Sequence, residues 1–157
     1  MVPNSPLPWA KTKIALVVSS YHQEITFKLR DAAIHYLMHK GVHAKHISLD
    51  YVPGGYELPL GAQWLYKKSK ADAVICLGCV IKGDTEHDVY INHAVAQSLQ
   101  QLSLKHNRPF VFGLLTVNNM QQAKDRSGGK KGNKGEECAE AALMMLSLKK
   151  KNQAGHL

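Results

Sequence analysis

Apolar positions along the chain follow two rhythms that alternate. Lys13–Ser19 (KIALVVS), His46–Val52, Ala73–Ile81 (AVICLGCVI) and Pro109–Thr116 are short runs rich in β-branched and aliphatic residues. The near-continuous apolar ones read as strands buried on both faces, where neither side alternates toward water. Between these runs the spacing becomes helical. Glu24–Lys40 places Ile25, Leu29, Ala32, Ala33, Tyr36 and Leu37 on one face and ends at Gly41. Pro53–Gly54–Gly55 closes the second strand, because proline cannot continue a ladder. Glu57–Lys70 then predicts a helix that turns Leu60, Trp64 and Leu65 inward. A long amphipathic helix is expected from just after Thr85 to about Lys105, and a short one near Asn119–Arg126. Ser127–Lys134 reads as a glycine- and lysine-rich loop, and a final helix runs through Leu148. Alternating strands and helices imply a parallel sheet covered on both faces, an α/β fold with four strands in a three-layer α/β/α sandwich. Such sheets bind ligands in the crevice beyond the carboxyl ends of their strands.

The 157 residues, 45% of them hydrophobic, suit one domain with one substantial core. Its expected limits are residues 13–148, preceded by a proline-rich arm over 1–12 and followed by a basic tail over 149–157 that should fray. No run of about 18 apolar residues is present, so no membrane span is expected. The first residues lack the basic and apolar regions of a secretory signal, and the expected location is the cytoplasm. Three cysteines are a poor basis for a disulfide framework. Cys76 and Cys79 form a C-x-x-C, but on a strand residues three apart face opposite ways and cannot easily share a metal or a disulfide. They read as buried structural thiols.

A net charge of +8 and a pI near 9.4 point to an anionic partner. The positive residues concentrate in Lys124–Lys134 and Lys149–Lys151, without the interleaved aromatics that stack bases. A small phosphorylated substrate together with a solvated basic tail accounts for the charge as well as nucleic acid does, and net charge alone speaks only to non-specific association.

Each loop that follows a strand carries chemistry. Ser20–Tyr21–His22 offers an aromatic face. In Val52–Glu57 (VPGGYE), Gly54 and Gly55 let backbone approach a ligand, and Glu57 falls in a first helical turn, where the dipole alone would favour an acid. Gly83–His87 (GDTEH) opens the long helix, whose unpaired amides form an anion site. Thr85 and Asp88 are spaced as a cap pairing. His87 sits in that same turn, where the dipole disfavours an imidazolium and leaves a ring able to accept a proton. His35 and His39, four apart, have no evident third metal ligand. Arg126 precedes Ser127–Gly128–Gly129, placed to pair bidentately with phosphate. The following lysine-rich glycines lack the spacing of a P-loop and follow a helix. These residues together support an enzyme acting on a phosphorylated, ring-containing substrate.

Four segments, VPGGYELP (Val52–Pro59), LGCVIKGDTEH (Leu77–His87), FGLLT (Phe112–Thr116) and AKDRSGGKKGNKG (Ala123–Gly135), resemble the lumazine synthase family in order and separation. The resemblance runs from about Lys13 to Leu148 and implies a flavodoxin-like sheet. It implies that Tyr21 stacks on a pyrimidine ring, that Gly55, Tyr56 and Glu57 bind a ribityl chain, and that Cys79, Val80 and Ile81 read the ring's polar edge. It further implies that Asp84 and Thr85 offer amides to a phosphate, with Arg126 as its clamp, Lys134 as a further substrate contact, His87 as proton donor and acceptor, and Phe112 contributed by a neighbouring subunit. Tyr21 stands where Phe or Trp is usual, His22 where Asn is usual, and Gly129 and Lys131 where Thr and Ala are commoner.

The implied reaction condenses 5-amino-6-(D-ribitylamino)uracil with 3,4-dihydroxy-2-butanone 4-phosphate to 6,7-dimethyl-8-ribityllumazine, without metal or redox cofactor. The resemblance also implies homo-oligomers, either pentamers or capsids of sixty subunits, with riboflavin synthase as a candidate partner. The lack of an insertion at Gly128–Gly135 favours the capsid. A flavin- or lumazine-binding carrier on the same fold is the alternative; a pure binder would have no use for the proton relay.

Overall fold

The computed structural model describes residues 8–154. The expectations for Met1–Leu7 and for Gly155–Leu157 fall outside the described residues. Strands β1 (Ile14–Ser19), β2 (Ile47–Val52), β3 (Ala73–Ile81) and β4 (Phe110–Val117) form one parallel sheet in the order β2-β1-β3-β4. Every residue of β1 is buried, as are Ala73–Cys79 of β3, so the two most apolar runs take the two central places.

The period of two along the strands sends alternate side chains to two cores. Ile14, Leu16, Val18, Ile75, Leu77 and Cys79 pack with helices α1 (Gln23–His39) and α5 (Lys134–Ala154). Ala15, Val17, Val74 and Cys76 pack with α2 (Leu58–Ser69) and α3 (His87–His106). The result is the expected three-layer sandwich. Cys76 and Cys79 lie in different layers, and the three free thiols, Cys138 included, are buried. No described helix is long and apolar enough to cross a membrane.

Three expectations are corrected. Leu60 and Trp64 do not face inward: they are 49% and 64% exposed, and the inward stripe of α2 is Leu58, Gly61, Ala62 and Leu65. The reason lies at Gly61, where an added Cβ would stand 2.6 Å from Val52 Cγ1 and 3.2 Å from Val17 Cγ1. The helix rests so close to the sheet that its small face must be the buried one. Ser127–Lys134 is not an irregular loop: after α4 (Met120–Asp125), β5 (Ser127–Gly129) and β6 (Gly132–Asn133) make a small antiparallel ribbon, and Lys134 begins α5. The basic tail does not fray at Lys149, since α5 continues to Ala154. Lys149 Nζ donates to the Asn107 carbonyl at 2.9 Å, and Lys150 Nζ lies 4.6 Å from the centre of the Trp9 ring, tying this last stretch to the body.

Candidate active site

At the carboxyl edge of the sheet the loops after β1, β2 and β3 enclose a cavity of about 610 Å³. Nine of the thirteen residues singled out from the sequence line it: Tyr21, Gly55, Tyr56, Glu57, Cys79, Val80, Ile81, Thr85 and His87. Tyr21 follows β1 and is 65% exposed, its backbone N–H donating to Ser19 Oγ at 3.2 Å. Its ring meets His22 edge-on, with centroids 4.5 Å apart. His22 also lines the cavity and has φ 59°, the left-handed region that Asn and His occupy more readily than most residues. That backbone angle gives a physical reason why Asn or His can stand at this position.

The turn Gly55–Glu57 is a 3₁₀ segment that leads directly into α2. Gly55 is tightly seated, with an added Cβ falling 3.0 Å from Leu114 Cδ1. Tyr56, 65% exposed, projects beside it. On the third wall, Cys79, Val80 and Ile81 end β3, and burial raises the Cys79 thiol to about 11. A group so reluctant to ionise serves as wall and not as nucleophile.

The entry to α3 differs from the cap pairing read from the sequence. Its N-cap is Glu86, without a side-chain hydrogen bond, and Thr85 Oγ1 accepts from the His87 backbone N–H at 3.4 Å instead of pairing with Asp88. The first-turn amides of α3 therefore have no strong side-chain acceptor, which suits an incoming anion. His87 is the first residue of the helix and is exposed toward the cavity. Behind this turn, Asn92 Nδ2 donates to the Asp88 carbonyl at 2.8 Å and Asn92 Oδ1 accepts from Thr116 Oγ1 at 2.8 Å, so the turn is braced against β4.

Asp84, Phe112, Arg126 and Lys134 do not line this cavity within one chain. Asp84 is exposed in the loop between Gly83 and Thr85, which do line it. Phe112 lies 39% exposed on β4, an edge strand. Arg126 and Lys134 bracket the β5-β6 ribbon, where Lys134 N–H donates to the Arg126 carbonyl at 2.9 Å and Lys134 Nζ lies 3.8 Å from Glu137. The phosphate clamp expected beside His87 is thus not among the residues that line this cavity in one chain. Asp88, which the sequence suggests only as a cap partner, and Ile91 also line the cavity. Ile91 follows His87 by four positions, one helical turn, and that spacing was the available signal.

The pattern for 6,7-dimethyl-8-ribityllumazine synthase matches residues 11–150. The chain belongs to the 6,7-dimethyl-8-ribityllumazine synthase family. A Cytophaga hutchinsonii protein named 6,7-dimethyl-8-ribityllumazine synthase is 48% identical over 132 residues, covering 84% of this chain and 83% of that protein. Proteins of the same name from Phocaeicola vulgatus and Parabacteroides distasonis are 43% and 42% identical, covering 90% and 92% of this chain and 84% and 91% of their own lengths. The match takes in every wall of the cavity, from Tyr21 to Ile91, and also Phe112, Arg126 and Lys134.

Proposed function

We propose that this chain is an enzyme of riboflavin biosynthesis that condenses 5-amino-6-(D-ribitylamino)uracil with 3,4-dihydroxy-2-butanone 4-phosphate, releasing phosphate and water. The observation that carries the reading is the one cavity in which aromatic faces (Tyr21, Tyr56), the end of β3 (Cys79–Ile81), a helix amino terminus and an imidazole converge. The pyrimidine ring rests on Tyr21 against the backbone of Val80 and Ile81. Its polyol chain runs toward Gly55–Glu57, where Glu57 accepts hydroxyl hydrogens. The phosphate of the second substrate takes the amides of Asp84, Thr85 and the first turn of α3.

The amine attacks the ketone and water leaves, giving an imine; phosphate departs by β-elimination; the enol tautomerises; the ribitylamino nitrogen closes the second ring as a second water leaves. Each step moves a proton that His87 can take or return, a role worth on the order of 10²–10⁴ in rate. Holding two substrates in register can contribute roughly 7–11 kcal/mol more.

A neighbouring copy supplies Phe112, Arg126 and Lys134. Two features support this: one copy leaves them outside its own cavity, and it exposes an apolar cleft between the end of α3, the edge of β4 and α5, lined by Leu104, Phe110, Val111, Met145 and Leu148. Leu104 is 75% exposed, an arrangement typical of a subunit contact. The assembly is a pentamer or a sixty-subunit capsid, with riboflavin synthase as its candidate partner, and the buried free thiols suit the reducing cytoplasm.

Mixing both substrates with the purified protein in metal-free buffer is expected to develop lumazine fluorescence. His87→Ala should lower kcat by about 10²-fold or more with assembly intact. Arg126→Ala should chiefly raise KM for the keto-phosphate. Wild-type kinetics in both variants would overturn the site assignment.

A further inference from the structure

A second cavity, of about 620 Å³, lies at the opposite, amino edge of the sheet, bounded by residues 8–12, Asp72, Arg108 and the last turns of α5. Lys11, Arg108, Lys149 and Lys150 line it, against the single carboxylate of Asp72. That carboxylate is already engaged, with Asp72 Oδ2 accepting the Lys13 backbone N–H at 2.8 Å. Among the described residues none of the four cations makes an ion pair. Three of them are held by neutral partners instead: Lys149 Nζ by the Asn107 carbonyl, Lys150 Nζ by the Pro8 carbonyl at 3.5 Å and the Trp9 ring, and Arg108 by a 3.4 Å contact to the Asn107 carbonyl. These contacts fix the cations in place without neutralising them. Burial, and after it the nearby Arg108 charge, hold the Lys149 ammonium below its ordinary pKa against a smaller opposing pull from Asp72.

We propose that this cavity binds a diphosphate group, free or at the end of a larger metabolite, at a site separate from that of the condensation. A planar guanidinium fork beside two or three ammonium groups matches an oxyanion carrying two or more charges. The volume exceeds what one phosphate fills. The Trp9 ring packs on the core with Lys150 over it, so the indole is not offered to a base and recognition should rest on the phosphates.

The test is calorimetric titration of the intact protein with inorganic pyrophosphate and, separately, with ADP, at fixed chloride. Binding is expected for both ligands with similar affinity. Arg108→Ala and Lys149→Ala should each weaken it by about tenfold or more, the scale of a charge-assisted hydrogen bond, while Arg126→Ala leaves it unchanged and Lys150→Gln, outside the apolar cleft of the subunit contact, keeps lumazine-forming activity. Lys150→Gln, which removes an exposed charge, gives the same comparison should a half-buried substitution impair folding. The proposal is overturned if pyrophosphate gives no heat, if the cation variants bind as the wild type does, if Arg126→Ala abolishes all binding, or if ADP binds far more tightly than pyrophosphate.

Discussion

Gly135→Ala should destabilise the chain through the crossing of α1 and α5. Gly135 lies in the first turn of α5 directly against the backbone of α1. An added Cβ would stand 2.8 Å from Leu29 Cα, 2.5 Å from its carbonyl carbon and closer still to its oxygen. Ordinary carbon–carbon contacts lie at about 3.5–4.0 Å, so the two helices would have to part by roughly 1 Å. Leu29 is fully buried, and Ala139 and Ala142 pack in the same core, so the gap would open through a closed layer. Forcing atoms into such packing costs roughly 1–3 kcal/mol. Alanine's better helix propensity, at most about 1 kcal/mol, offsets part of it. A backbone clash this close belongs at the upper end, leaving about 2 kcal/mol after the offset, and at about 2–4 °C per kcal/mol for a domain of this size the melting temperature should fall by roughly 4–8 °C. The same displacement would disturb the start of α5, where Asn133 Oδ1 accepts the Gly135 N–H at 2.8 Å, and with it the ribbon carrying Arg126 and Lys134. Thermal unfolding followed by circular dichroism measures the first effect, and KM for the keto-phosphate the second. A melting temperature at or above that of the wild type would refute the packing argument.

Two further outcomes follow from local contacts. Asn119→Ala removes the side-chain oxygen that accepts the Gln122 N–H at 2.9 Å at the start of α4, and should cost about 1 kcal/mol in urea unfolding; an unchanged midpoint would contradict the cap. Burial raises the Cys79 and Cys138 thiols to about 11. The folded state therefore keeps protons that the unfolded chain has released: this contribution is fully present below about pH 8.5 and is lost as pH rises from there through 11. Urea midpoints should fall across that window, and less steeply in Cys79→Ala/Cys138→Ala; equal slopes would count against it.

The sheet was legible because buried parallel strands leave an unambiguous apolar run, and Ala73–Ile81 was bounded to the residue. The α2 face was misread because size suggested Trp64 and Leu60 as core, whereas Gly61 and Ala62 allow a closer approach that only the packed sheet reveals. The β5-β6 ribbon was hidden by glycines whose composition signals a loop: Gly128 and Gly132 hold φ of 108° and 81°. The three walls of the cavity could be read because each follows a strand end. Arg126 could be read from its place before Ser127–Gly128–Gly129, and Lys134 and Phe112 from the resemblance, which also gives Phe112 to a neighbour's cavity; nothing in the sequence of one chain says which copy's cavity Arg126 and Lys134 enter. Asp88 reads only as a cap partner and Ile91 not at all, because the first turn of α3 reads equally well as a cap.

The central claim is that His87 of one copy and Arg126 of another act on the same substrates, and mixing the two variants, assayed at keto-phosphate well below the wild-type KM where both are impaired, tests it most directly. His87→Ala and Arg126→Ala chains, unfolded together in equal amounts and reassembled, should recover about one quarter of wild-type activity, since random placement pairs an intact His87 with an intact Arg126 from a neighbour in about one cavity in four. If the co-assembled mixture shows no more lumazine formation than the average of the two variants alone, the shared site is contradicted.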